Sequence, residues 1–168
     1  MIARMLTRTL FLALAAGLFP LTACTGGGAA PLSAEEQAKG IVPVTVTTKS
    51  GSHVFKAEPA KTPAEQQRGL MFRTDLTDTS AMLFWPYPAE GGGPREASFW
   101  MKDTPTALDL IFIRPDGTIA RIGRGEPFDE TPVVSGEPVG AVLEVKAGVA
   151  AMTGMAEGDK VSWPGGPA

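Results

Sequence analysis

The stretch that most constrains the fold is residues 99–113, which read FWMKDTPTALDLIFI. Two strand-like halves flank a turn at Pro105, and each half sets charged residues among apolar ones. Because side chains alternate along a strand, Lys102 is predicted on the face of Trp100. The second half is apolar on both faces, so Asp109 either lines a pocket or lies in a strand covered on both sides. In both arrangements its carboxylate needs a hydrogen bond or an ion pair.

Further strands are predicted from period-2 alternation and from turn residues. In the segment from Val42 to Thr47, valines alternate with proline and threonines, which is typical of a half-buried strand. Two proline- and glycine-rich segments, 86–97 and 125–136, are predicted to be loops. The predicted strands lie near residues 42–47, 53–58, 80–85, 98–102, 108–113, 118–123, 138–145 and 160–163.

One short helix stands out among these strands. Thr62 is suited to cap it, Pro63 suits its first position, and Glu65 completes a capping box. The helix is predicted to end about Arg68, because Gly69 can take the left-handed conformation that follows a helix. About eight short strands and one short helix predict a mainly β, single-domain sandwich or barrel.

The N-terminus is typical of an exported protein. Residues 1–23 are predicted to be a signal peptide, with two arginines before an apolar run of about 12 residues. A membrane-spanning helix needs about 20 apolar residues, which makes a permanent anchor the weaker alternative. Residues 24–40 are predicted to be a flexible tether, 41–164 the β domain, and 165–168 a short tail.

The predicted cleavage site matches a more specific sequence pattern than that of a general signal-peptidase site. The sequence Leu21-Thr22-Ala23-Cys24 resembles the lipobox of bacterial lipoproteins, which places a lipid on Cys24 and makes the membrane a partner through that lipid. The predicted location is therefore the cell envelope, facing the periplasm. Thr25 replaces the aspartate associated with inner-membrane retention, so the outer membrane is favoured over the inner. Ordinary secretion to the periplasm is the alternative.

Charge and composition exclude several functions. The chain has a net charge of −3, and removal of residues 1–23 takes away two arginines and changes it to −5. No basic run is present, which argues against a nucleic-acid partner. With one histidine and with its one cysteine assigned to lipid, the chain cannot assemble a Cys/His zinc site. We therefore predict no metal and no cofactor.

Several motifs, taken together, resemble one family. The motifs are Arg68-Gly69-Leu70-Met71-x-Arg73, Met82-Leu83-Phe84, Phe99-Trp100-Met101-Lys102-x-Thr104, Leu108-Asp109-x-x-Phe112, Val142-Leu143-Glu144 and Gly158-Asp159-x-Val161. They resemble the domain of unknown function 192 (DUF192) family over residues 43–163. The resemblance implies a compact all-β domain, often exported, with no established activity. The chain departs from the family pattern at Asp103, where asparagine is usual, and at Thr106, where a more apolar residue is usual.

The candidate ligand-binding residues are charged or aromatic groups in apolar surroundings. They are Arg68, Arg73, Trp100, Lys102, Asp109 and Glu144. One hypothesis is that these groups converge at one end of the barrel, with Trp100 as a wall for a ligand. The alternative is that Asp109 and Glu144 bind local donors and only stabilise the fold.

Three functions remain compatible with the sequence. The preferred one is a non-enzymatic module that binds a small molecule, a glycan or an envelope protein. A carboxylate-based cell-wall hydrolase is the second, and it requires Asp109 and Glu144 to face each other across a cleft. The third is a structural assembly partner, which an exposed apolar patch around Trp85 and Tyr87 would favour. No catalytic residue can be assigned.

Overall fold

The computed structural model describes residues 31–167. The predicted signal peptide, Cys24 and the first part of the predicted tether lie outside the described residues. Within residues 31–167, no helix is both long and apolar enough to cross a membrane.

The described residues form nine strands and three short helices. The strands are β1 (Val42–Thr48), β2 (Gly51–Ala60), β3 (Ser80–Phe84), β4 (Arg95–Phe99), β5 (Leu108–Ile113), β6 (Ile119–Gly125), β7 (Val133–Val139), β8 (Ala141–Lys146) and β9 (Lys160–Ser162). The helices are α1 (Ala34–Ala38), α2 (Pro63–Arg68) and α3 (Val149–Thr153). The predicted mainly β fold is confirmed, with one strand more than predicted and with short helices α1 and α3 beside the predicted helix α2.

Seven strands form one curled, half-barrel sheet in the order β6-β5-β8-β3-β2-β1-β9. All neighbouring pairs in it are antiparallel except β2 and β3, which are parallel. A parallel pair needs a crossover connection, and α2 lies within that connection. Strands β4 and β7 form a separate two-stranded sheet.

The large sheet separates two apolar cores. One core contains Ile111 and Leu143 together with residues of α3 and β9. The other contains Leu110 and Phe112 together with residues of the β4–β7 sheet. Strand β5 is buried along its whole length, because both of its faces are covered.

The register of β5 and β8 fixes where the two buried carboxylates point. Leu110 pairs with Glu144, whereas Asp109 pairs with Val145. Residues that pair directly across neighbouring strands share a face of the sheet. Glu144 therefore lies on the face covered by the β4–β7 sheet, and Asp109 lies on the face covered by α3.

The largest difference from the sequence prediction concerns β4 and β7. Strand β4 occupies residues 95–99, so the strand predicted at 98–102 begins and ends three residues earlier, partly within the predicted loop 86–97. Strand β7 begins at Val133, inside the second predicted loop. Their sequences, REASF and VVSGEPV, show little apolar alternation because the pair buries few side chains. The Ser135 hydroxyl accepts a hydrogen bond from the amide of Ala97 at 2.8 Å, beside an irregularity in the pairing.

Part of the predicted tether is helical. Ser33 caps α1 through a capping box with Glu36, and the Glu36 carboxylate pairs with Lys56 of β2 at 2.6 Å. The Lys56 ammonium and a hydrogen bond from the Ser33 amide together lower the pKa of Glu36 to about 2. This helical turn therefore contacts the β domain directly.

Candidate binding cleft

A cleft of about 340 Å³ opens on the face of the large sheet that bears Glu144. Helix α2 and the turn that follows it line one part, and the segment 98–104 lines another. The volume lies within the range of small-molecule sites in proteins.

Helix α2 forms because its N-terminal signals act as the sequence predicts. Thr62 caps it, its hydroxyl accepts a hydrogen bond from the Glu65 amide, and the Glu65 carboxylate accepts one from the Thr62 amide. The chain then turns at Gly69, whose φ of 49° is costly for residues with a Cβ atom. Leu70, directly after it, is buried in the core and anchors this side of the cleft.

A single amide side chain links α2 to two other segments. The Gln66 Nε2 group donates hydrogen bonds to the carbonyl of Ala60, at the end of β2, and to the carbonyl of Pro86. Its Oε1 atom accepts a hydrogen bond from the amide of Ala89 at 3.1 Å. Gln66 therefore fixes α2 against the loop that carries Tyr87 and Glu90.

Four aromatic rings line the cleft: Phe84, Tyr87, Phe99 and Trp100. Phe99 is central among them, because its ring meets Phe84 edge-on at 5.0 Å and lies 5.8 Å from Tyr87. Trp100 is 43% exposed, so much of its ring faces solvent. The cleft thus offers aromatic surface from the core to its rim.

Glu144 is the buried polar group of this cleft. Its side chain lines the cleft although the residue is only 4% exposed, and its cross-strand neighbours are Leu110 and Met82. Its Oε2 atom has no hydrogen-bond partner. Burial alone raises the pKa of Glu144 to about 8, because no nearby cation offsets the loss of water. At neutral pH the side chain is a protonated carboxylic acid.

The structure brings together three of the six predicted residues. Arg68, Trp100 and Glu144 all line the cleft. Lys102 lies just outside it, in a shallower depression shared with Arg68 and Trp100, and its Nζ atom sits 5.4 Å from the Trp100 ring centroid. Strand alternation does not explain this contact, because β4 ends at Phe99.

Arg73 does not line the cleft. Its guanidinium bonds Asp75 at 2.6 Å and Glu58 at 2.9 Å, and these partners raise its pKa further above the ordinary value. It lies instead in another depression, beside Glu58 and Met82. Arg73 therefore ties the segment after α2 to strand β2.

Asp109 is bound by main chain on the opposite face of the sheet. Its Oδ2 atom accepts hydrogen bonds from the amides of Gly148 at 2.8 Å and Ala150 at 3.0 Å. These amides open α3, whose N-cap residue is a glycine and offers no side-chain acceptor. Asp109 supplies the missing cap. This agrees with the alternative hypothesis that Asp109 binds local donors and stabilises the fold.

The carboxylate-pair hydrolase hypothesis is wrong. It required Asp109 and Glu144 to face each other across a cleft, and the strand register places them on opposite faces of the sheet. Two carboxylates separated by a sheet cannot act on the same bond.

The patch proposed around Trp85 and Tyr87 is not exposed. Both residues are half-buried, and they belong to different cores. Trp85 meets Trp163 edge-on at 5.8 Å. The large exposed apolar residues of the described chain are instead Phe72, Trp100, Phe128 and Met152.

Several residues that line the cleft are not among the predicted binding residues. Arg95 was assigned to a loop, yet it lies at the start of β4 and its guanidinium stacks 5.9 Å from the Tyr87 ring centroid. Phe84 was assigned to a strand without a role. The sequence suggests Tyr87 only as part of an apolar patch with Trp85, not as a residue of a binding cleft. Among residues 31–167 no three His, Cys, Asp or Glu side chains are grouped to hold a metal ion.

Comparison with known proteins identifies the family. The model of the family described as DUF192, Uncharacterized ACR, matches residues 44–163. The chain belongs to the DUF192 family. No curated protein matches the chain.

Two solved structures resemble this DUF192 domain closely. A protein of unknown function from Novosphingobium aromaticivorans is 48% identical, with a TM-score of 0.68 over 73% of this chain and 85% of that one. A Sinorhizobium meliloti protein described as a "putative transcription regulator" is 36% identical, with a TM-score of 0.68 over 74% of this chain and 94% of that one. Neither description names a ligand or a reaction.

Five of the six motifs that resemble the family contribute residues to the cleft, and the motif at residues 158–161 does not. Residues 68–71 line one side of it, Phe99, Trp100 and Thr104 another, and Leu108 and Glu144 its buried part. These residues come from four separate parts of the sequence. Arg68 and Trp100 are exposed, so they contribute little to a hydrophobic core. Their presence among these motif residues favours a binding site over a purely structural role.

Proposed function

We propose that this DUF192 domain is a non-enzymatic binding module that takes a small organic molecule into the cleft. The observation that carries the proposal is the buried Glu144 carboxyl, whose Oε2 atom faces no protein donor. Leaving a buried polar atom unpaired costs about 1–3 kcal/mol, and a ligand group would offset that cost. A buried polar group without a protein partner, in a cleft lined by aromatic rings, is typical of a binding site.

We further propose that the domain is held at the cell envelope by lipid on Cys24. The support is the lipobox-like sequence at residues 21–24 and the absence of other cysteines in the sequence. The acidic net charge fits this proposal better than a role in DNA binding, although one structural relative is described as a transcription regulator.

The cleft is testable by thermal shift of the purified full chain against envelope glycans and charged metabolites. We expect at least one compound to raise the melting temperature by several degrees, because binding the folded state stabilises it. Trp100→Ala should remove the shift. Phe128→Ala is the matched control, because Phe128 is exposed and does not line the cleft. Shifts that survive Trp100→Ala, or no shift with any compound, would contradict a binding cleft.

The anchor is testable by metabolic labelling with an azide-bearing palmitate in the native host. We expect the wild-type chain to be labelled and to sediment with outer membranes, and we expect Cys24→Ala to carry no label. Thr25→Ala, one residue away, is the control that should keep it. An unlabelled wild-type chain in the periplasmic fraction would favour ordinary secretion.

A further inference from the structure

The chemistry of the cleft narrows the ligand class. Glu144 is buried without a hydrogen bond to Oε2 and without a cation within ion-pair distance among the described residues. The charged groups that line the cleft around it are Arg68 from α2, Glu90 from the loop after β3, and Arg95 from β4. Glu90 and Arg95 are bonded to each other at 2.6 Å, which leaves Arg68 unpaired among the described residues.

The aromatic lining adds a second, independent feature. Phe84, Tyr87, Phe99 and Trp100 line the same cleft as Glu144, and the face of an aromatic ring attracts cations. Aromatic rings grouped near a carboxylate are the arrangement with which proteins bind alkylated ammonium groups. A plain apolar ligand would need the rings but would leave the carboxyl unpaired.

The rings at the rim already hold cations of the protein itself. The Arg95 guanidinium lies 5.9 Å from the Tyr87 ring centroid, and the Lys102 ammonium lies 5.4 Å from the Trp100 ring centroid. Both distances are within the range of cation–π contacts. Two of the four cleft rings thus present their faces to positive charge.

Arg68 indicates what the other end of the ligand carries. Its side chain is exposed at the rim, has no ion pair among the described residues and lines the cleft and both neighbouring depressions. A ligand with only positive charge would be repelled by it, whereas a carboxylate or phosphate would bind it. We propose that the cleft binds a small zwitterion, with its alkylated ammonium on Glu144 among the rings and its anionic group on Arg68.

This inference rests on the proposed binding function, and its test separates the two. Isothermal titration of the full chain would compare glycine betaine with 3,3-dimethylbutyrate, which has the same shape with carbon in place of the charged nitrogen. γ-Butyrobetaine and 5,5-dimethylhexanoate form a longer pair of the same kind. We expect at least one betaine to bind at least about tenfold more tightly than its carbon analogue.

Two further measurements test which protein side chain binds each charged group of the ligand. Glu144→Gln should remove the preference for the betaine while leaving binding of the carbon analogue unchanged, and Arg68→Gln should weaken both compounds. Betaine binding at pH 6.5 should release about one proton, because Glu144 must ionise to pair with the ammonium. Released protons are measured by titration in buffers of different ionisation enthalpy.

The possible results separate failure of the zwitterion proposal from failure of the binding-cleft proposal. Equal affinity for a betaine and its carbon analogue, or binding without proton release, would overturn the zwitterion while leaving a binding cleft. Failure of all four compounds, together with a stabilising ligand of another class in the thermal-shift screen, would also overturn only the zwitterion. Failure of every compound in both experiments would overturn the cleft itself.

Discussion

Replacing Glu144 with glutamine is expected to raise the free energy of unfolding at pH 7.5 by roughly 3 kcal/mol. In the folded protein, burial among Leu110 and Met82 raises the pKa of Glu144 to about 8, whereas its ordinary value is 4.5. Between these values the folded state holds a proton that the unfolded state has lost. The wild-type protein therefore loses stability as the pH rises from 4.5 to 8, and the loss levels off above 8.

Glutamine keeps the shape of the side chain but does not titrate, so the variant should lack this part of the pH dependence. Urea denaturation of both proteins from pH 4.5 to pH 9 measures it as a difference that grows with pH and then becomes constant. Glu130→Gln, in an exposed loop, controls for the removal of one acidic group. A constant difference between wild type and Glu144→Gln at all these pH values would contradict the buried, protonated carboxyl.

Replacing Asp109 with alanine is expected to lower the free energy of unfolding by about 4 kcal/mol. The change removes two charge-assisted hydrogen bonds and leaves the buried amide of Ala150 and the partly buried amide of Gly148 without an acceptor at the start of α3. Asp109→Asn retains one acceptor oxygen and should cost about half as much.

Urea denaturation measures this loss, and amide hydrogen exchange locates it. We expect faster exchange at Ala150 in the alanine variant, because local opening of α3 then costs less free energy. Asp103→Asn is the control: Asp103 is exposed with φ of 52°, a conformation that asparagine tolerates, so its stability should change by less than about 0.5 kcal/mol. An Asp109→Ala loss as small as that would mean that the cap contributes little.

Features of the fold that depend on neighbouring residues in the chain were predictable from the sequence. The helix at residues 63–68 follows from its capping box and from Gly69, and the need for a partner on Asp109 follows from its apolar neighbours. The identity of that partner does not follow, because Gly148 lies 39 residues further along the chain.

The candidate site depended on strand register, which the sequence did not reveal. Asp109 and Glu144 look alike in sequence, since each is flanked by large apolar residues. A shift of one residue between β5 and β8 would place both carboxylates on the same face of the sheet, and only the pairing of Leu110 with Glu144 decides it. The β4–β7 pair was missed because its strands bury too little apolar surface to show a pattern.

The hydrogen bonds of Gln66 have a consequence for how the cleft can change shape. Helix α2 buries none of its own residues, so little apolar contact opposes its displacement from the sheet. The Gln66 amide nevertheless joins it to Ala60 and to the loop at Pro86 and Ala89. A displacement of α2 must therefore break these hydrogen bonds or carry the loop with it, so the width of the cleft opening depends on the Gln66 amide.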